Sequence, residues 1–174
     1  NPISDYAKHK VEIEKILMSH QNSISFRLAT VFGMSPRMRV DLLVNDFTHR
    51  AVYDGFIVLF ESHFKRNYIH INDVSRVFIH AINKFESMKN NIYNVGLSDT
   101  NISKLELCNI IKEYLNDFVI LEESFTNDPD QRNYIVSNNK IENTGFFPNF
   151  SIREGVEELL KGYTMIKNSK YGNV

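Results

Sequence analysis

Short runs of β-branched and aromatic residues alternate along this chain with longer stretches whose apolar residues recur every three or four positions. Ser23 to Gly33 (SISFRLATVFG) reads as a buried strand ended by its glycine. Asp41 to Tyr53 suits a helix with Leu42, Leu43, Phe47 and Ala51 inward, although Asn45 and Asp46 interrupt it awkwardly. Phe56 to Phe60 and Lys65 to Ile71 read as strands, with Asn72 or Asp73 capping the helix that follows. In that helix Val74, Val77, Phe78, Ala81, Ile82 and Phe85 define one broad apolar face. Ile92 to Gly96 and Phe118 to Leu121 are further strands. Ser103-Lys104-Leu105-Glu106 and Ser151-Ile152-Arg153-Glu154 are capping boxes that open two more helices. Thr126 to Arg132 is a polar loop, Tyr134 to Val136 is extended, Ser137 starts a short helix and Gly145 stops it. Strand and helix in alternation favour an α/β architecture with parallel pairing.

Ahead of the first strand stands another helix, capped by Ser4 or Asp5 and continued by Val11, Ile13, Ile16 and Leu17. Tyr6 and Lys10 are four residues apart on it and share a face. A nearby ammonium pulls a phenol pKa down from about 10, towards the range where it acts as a general acid or base. Tyr-x-x-x-Lys recurs by chance on solvated helices, so its weight depends on its company. His9 points away from the pair.

Composition removes several functional classes. The net charge of −1 offers no attraction to nucleic acid or to an anionic membrane. No apolar run approaches the ~20 residues of a membrane span. Cys108 is the only cysteine, which excludes an intrachain disulfide and fits a reducing, cytoplasmic setting. None of the six histidines pairs at i, i+3 or i, i+4, and no HExxH occurs, so no metal is expected; His70 and His80 read as a strand and a helix-face residue.

Several segments, in order, give the Tyr6–Lys10 pair its company. They are Arg27-Leu28-Ala29-Thr30-Val31-Phe32-Gly33, Tyr68-Ile69-His70-Ile71-Asn72-Asp73-Val74, Tyr93-Asn94-Val95-Gly96, Ser103-x-x-Glu106-Leu107, and Arg132 before the closing helices. Together with Tyr6-Ala7-x-x-Lys10 they resemble the extended short-chain dehydrogenase/reductase family, the NAD-dependent sugar-nucleotide epimerases and dehydratases, from Tyr6 to about Tyr163. The resemblance implies the C-terminal part of a Rossmann-type parallel sheet domain plus a small α/β substrate-binding domain. Residues 1–33 would end the dinucleotide-binding domain and 34–165 would form mainly the substrate-binding domain. Residues 66–96 would return in part to the Rossmann sheet, and 166–174 would be a tail.

The same resemblance implies the roles. Tyr6 would be the general base and later the acid on a sugar hydroxyl, and Lys10 would lower its pKa and hydrogen-bond the nicotinamide ribose. Tyr6, Lys10 and Thr30 would meet NAD (or NADP), while Arg66 and Arg132 would hold the diphosphate of a nucleoside-diphosphate sugar and Asn45 would reach the same nucleotide. The turn bearing Arg37 and Arg39 would lie near the sugar. Thr30 stands where many 4-epimerases carry Asn, which weakens any claim to UDP-galactose 4-epimerase specifically. The alternatives are a keto-sugar or aldehyde reductase of the same fold, and a catalytically silent lobe that binds nucleotide or a partner. In the family the tyrosine helix also forms a two-fold contact, implying a homodimer.

The family's Gly-x-x-Gly-x-x-Gly turn, whose N–H groups cradle the NAD pyrophosphate, has no counterpart here: the glycines at 33, 55, 96, 145, 155, 162 and 172 include no two spaced by three. The family's Ser or Thr upstream of the tyrosine is also missing, and the chain opens on Asn-Pro without Met, as the interior of a longer protein would. By itself, this chain is therefore expected not to bind NAD measurably, whereas the complete protein should. Calorimetric titration of the 174-residue chain with NAD tests this, and a micromolar affinity would contradict it.

Overall fold

The computed structural model of the chain describes residues 4–123 and 133–166. The polar loop at 126–132, including Arg132, and the tail from Lys167 lie outside the described residues. Seven helices and eight strands alternate within that span, α1 (Asp5–Ser19), β1 (Ile24–Leu28), β2 (Thr30–Phe32), α2 (Leu43–Tyr53), β3 (Phe56–Phe60), β4 (Lys65–Arg66), β5 (Tyr68–His70), α3 (Ile71–Asn83), α4 (Phe85–Met88), β6 (Asn91–Val95), β7 (Ile102–Ser103), α5 (Lys104–Lys112), β8 (Val119–Glu123), α6 (Asn139–Glu142) and α7 (Ile152–Met165). Three ladders are parallel, β1 with β6, β2 with β5 and β3 with β8; β4 and β7 pair antiparallel.

The strand expected over Ser23 to Gly33 is in fact two strands that meet at Ala29. Its first half pairs with β6 in register Ile24 to Asn91, and its second with β5 in register Thr30 to Tyr68. The change of partner is visible in the backbone: Ala29 N–H donates to Val95 O at 2.9 Å, and Thr30 N–H donates to Asn67 O at 3.0 Å. β1 is half-buried to exposed rather than buried. The strand expected over Lys65 to Ile71 divides likewise, because Asn67 turns its side chain inward. Its amide donates to Leu97 O (2.6 Å) and Asn101 Oδ1 (3.3 Å), and Asn138 donates to its Oδ1 (3.4 Å). Gly96 makes room for this plug, since a Cβ there would stand 1.7 Å from Asn67 Oδ1.

Strand alternation divides the apolar residues between two cores. Phe32 and Tyr68 join Val44, Leu59, Leu107, Ile111, Val156 and Leu159 in one, while Val31 and Ile69 join Val77, Met88, Tyr93, Val95 and Ile141 in the other. Both capping boxes form as expected, Ser103 with Glu106 and Ser151 with Glu154. Gly145, at φ +86°, ends the turn after α6.

Other boundaries move. α2 begins at Leu43, not Asp41, with Leu42 at the cap position and no side-chain capping bond. α3 is capped by His70, whose Nδ1 accepts from Asn72 N–H at 3.3 Å, rather than by Asn72 or Asp73. Asp73 instead sits wholly buried and accepts from Asn149 N–H (2.9 Å), Phe150 N–H (3.0 Å) and Arg76. Only part of the α3 face is covered: Val74, Val77 and Ala81 are buried, but Phe78 is 50% and Ile82 74% exposed. Phe85 falls in α4, and α6 starts at Asn139 rather than Ser137.

Two outcomes follow from the buried polar groups. Asp73→Asn places an amide N–H₂ against a set of donors, so it should lower stability by about 2–4 kcal/mol in urea unfolding of the folded protein. Cys108 is fully buried and its thiol is pushed up to about 12, so a thiol reagent at pH 8 should label it only after denaturant is added.

Candidate active site

α1 begins at Ser4, whose Oγ accepts from Ala7 N–H at 3.2 Å, as the cap residue should. None of its residues is buried. The helix is held to β1 through its Glu14, which receives both Arg27 Nε (2.8 Å) and Arg27 Nη2 (2.6 Å), with Ser25 Oγ at 3.3 Å. This fork of two parallel bonds lowers the Glu14 carboxyl below its ordinary range and raises Arg27. Lower down, Ser23 Oγ donates to Leu17 O at 2.7 Å. One face of α1 then stays open, with Tyr6 72% exposed and Lys10 Nζ 5.4 Å from the centre of its ring. His9 is exposed as well.

A second polar element is the turn that leaves β2. Asp41 holds the exposed Arg39 guanidinium above its ordinary range through two hydrogen bonds (2.8 and 2.6 Å), and Tyr6 adds a smaller electrostatic push in the same direction. Met38 anchors the turn by burial between the exposed Arg37 and Arg39. Asn45, the residue that fits poorly in an apolar helix, secures both of its ends. Its Oδ1 accepts from Gly33 N–H (3.1 Å) and its Nδ2 donates to Arg39 O (3.0 Å), while its backbone carbonyl takes the Tyr163 hydroxyl (3.2 Å). The amide expected at the nucleotide is thus 2% exposed and turned to the backbone.

Thr30 opens β2 and is half-buried. Arg66 is buried on β4 and lies near enough to Tyr68 for its charge to act on that phenol, which burial itself pushes well above the usual range. Residues 133–134 run beside β4: Tyr134 N–H donates to Lys65 O (3.1 Å) and Lys65 N–H to Asn133 Oδ1 (2.9 Å). The structure joins Tyr6 and Lys10 on one open face of α1 and turns the Asn45 amide to the backbone of the Arg39 turn.

Two functional candidates, His70 and Glu158, have no sequence signal of their own. His70, read as a plain strand residue, is fully buried and bonds through Nε2 to Glu158 Oε2 at 2.8 Å. Because its Nδ1 accepts from Asn72 N–H, Nε2 carries the proton and donates. Glu158 Oε1 accepts from Met34 N–H at 3.2 Å. The residues of this pair are 88 positions apart, so no local pattern links them. For Asn45 a hint did exist, since a polar residue that breaks an apolar stripe needs a buried partner. Among the described residues, no group of three or more His, Cys, Asp or Glu side chains is arranged to hold a metal, and no helix is long and apolar enough to cross a membrane.

The fold is shared with solved enzymes. The UDP-glucose 4-epimerase of Thermotoga maritima, solved with UDP-glucose, superposes with a TM-score of 0.80 at 23% identity, over 97% of this chain and 56% of that one. The UDP-glucuronic acid 4-epimerase of Bacillus cereus, solved with UDP-glucuronic acid and NAD, gives 0.81 at 18% identity, over 95% and 54%. RMD from Pseudomonas aeruginosa, complexed with NADPH, gives 0.78 at 14%, over 95% and 58%. The chain thus spans little more than half the length of the structures it matches, and at these identities the likeness shows a Rossmann-type α/β fold. The sequence supplies the family, for residues 1–96, which carry the Tyr6–Lys10 helix, the β1–β2 segment and β5 with its His70, match one family throughout. The chain belongs to the NAD dependent epimerase/dehydratase family.

Proposed function

We propose that this chain carries the general acid/base of an enzyme that epimerises or dehydrates a nucleoside-diphosphate sugar through a transient keto-sugar. The observation that carries the reading is the open face of α1, where Lys10 Nζ stands beside the Tyr6 ring. Tyr6 takes the proton of a sugar hydroxyl and later returns it. Lys10 supplies positive charge beside the oxygen that gains negative charge. The nicotinamide cofactor supplies hydride acceptance and return, and solved relatives that hold NAD or NADPH support a cofactor of this class. The exposed phenol and ammonium, side by side on one face, fit a polar ribose, and Thr30 would lie on the cofactor side of the sheet.

Arg66 and Arg132 are assigned to the diphosphate, and Asn45 to the sugar-nucleotide through the turn it secures. Residues 1–33 and part of 66–96 are assigned to the dinucleotide-binding sheet, a division that the β1–β6 ladder supports; 34–165 otherwise form the substrate lobe. The exposed Ile13, Ile16 and Leu17 on α1 support a two-fold contact, and so a homodimer.

In the complete enzyme Tyr6→Phe should lower kcat by ~10²–10⁴, the usual weight of general acid–base catalysis. Near-normal turnover on every nucleotide-sugar accepted by the wild type would reject the role. Arg66→Ala and Arg132→Ala should each weaken nucleotide-sugar binding by about 1.5–3 kcal/mol with little change in NAD affinity, measured by calorimetry.

A further inference from the structure

The turn that carries Arg39 leaves β2 with two successive backbone N–H groups pointing at side chains from different helices. Gly33 donates to Asn45 of α2 (3.1 Å) and Met34 to Glu158 of α7 (3.2 Å). The second carboxylate oxygen of Glu158 receives His70 Nε2–H at 2.8 Å. His70 cannot turn away: its other nitrogen caps α3, its ring stacks on Phe150 at 4.4 Å and 20°, and Phe32 meets it edge-on at 5.3 Å. α7 comes close enough for this bond because it presents Gly155 to the site, where a Cβ would stand 2.2 Å from Phe32 Cε2 and 3.1 Å from His70 Cδ2. A rigid imidazole thus aims a carboxylate on the last helix at the start of the arginine turn.

We infer that Glu158, oriented by His70, is a positioning residue for the nucleotide-sugar: it fixes the start of the Met34–Arg39 turn and so the backbone from which Arg39 projects. Asn45 holds the turn at Gly33 and at the Arg39 carbonyl. Without the bond at Met34, the backbone here loses its hydrogen bond to α7 and keeps only the packing of the Met34 side chain against Gly162. The Arg39 side chain is half exposed and is tied to Asp41 of the same segment, so its place follows that backbone. Glu158 touches neither Tyr6 nor Lys10 in these contacts and acts through the turn alone. The inference rests on the acid/base reading of Tyr6.

The test uses the complete enzyme with NAD and its accepted nucleotide-sugar. Glu158→Ala removes both bonds. Glu158→Gln keeps the size, but its amide sets an N–H₂ against either the His70 or the Met34 donor. Each should raise the nucleotide-sugar KM, about tenfold for Ala and less for Gln, while the KM for NAD stays at the wild-type value. A general loss of structure would move both constants. Amide exchange at Met34, read by mass spectrometry or NMR, should quicken in Glu158→Ala, and if that variant does not fold, the same two measurements on Glu158→Gln decide. An unchanged sugar KM in a background where Tyr6→Phe is inactive overturns the positioning role. If Tyr6→Phe is fully active, the acid/base reading fails and the nucleotide-sugar role of Glu158 falls with it, whereas unchanged Met34 protection with Tyr6→Phe inactive overturns the hold of Glu158 on the turn.

Discussion

One extended segment, Ile24 to Phe32, serves two ladders, and most of the architecture depends on how it does so. It lies beside β6 up to Leu28 and beside β5 from Thr30, so β5 and β6 must part where they meet it. The space between them is filled by the Asn67 amide, and it stays narrow because Gly96 has no side chain. An unpaired amide buried there would be costly, and its bonds to Leu97 and Asn101 remove that cost. Since β2 and β5 show opposite faces to the two apolar clusters, the same junction joins the cores.

The site inherits its geometry from this junction. β2 ends at Gly33, at φ +113°, where a Cβ would strike the His70 ring 2.5 Å away. The turn after it can therefore be gripped by Asn45 from one helix and Glu158 from another. Rigid elements hold the groups that must be placed, while the reactive pair rides on a helix at the surface.

What was legible in the sequence was local. The Ser103–Glu106 and Ser151–Glu154 boxes, the Ser4 cap, the Gly145 stop and the Tyr6–Lys10 face all depend on spacings of four residues or fewer, and each forms. The partner switch at Ala29 was hidden, because an uninterrupted β-branched and aromatic run says nothing about which neighbour each half takes. Periodicity put Phe78 and Ile82 inside with Val77; in the fold the covered stripe of α3 is narrower, and Phe78 only touches Phe26 edge-on at 5.3 Å. Asn45 read as a nucleotide contact, and the fold turns its amide to the backbone of the arginine turn. The His70–Glu158 bond spans the junction of β5 with the last helix, a distance no short-range pattern can see.

The anchoring of α1 has a consequence for cooperativity. The helix gives no side chain to either core, and a 15-residue helix is marginal without tertiary support. Its hold on β1 rests on the Glu14–Arg27 fork, where Glu14 is shielded but Arg27 is largely open to solvent. Electrostatic attraction at such a place is screened by dissolved ions, whereas the apolar clusters are not weakened that way. α1 is therefore expected to loosen at lower cost than the two cores, held otherwise by the Ser23–Leu17 bond and its half-buried Val11 and Met18. Ionic strength acts on the helix that bears the reactive pair and leaves the frame beneath it intact.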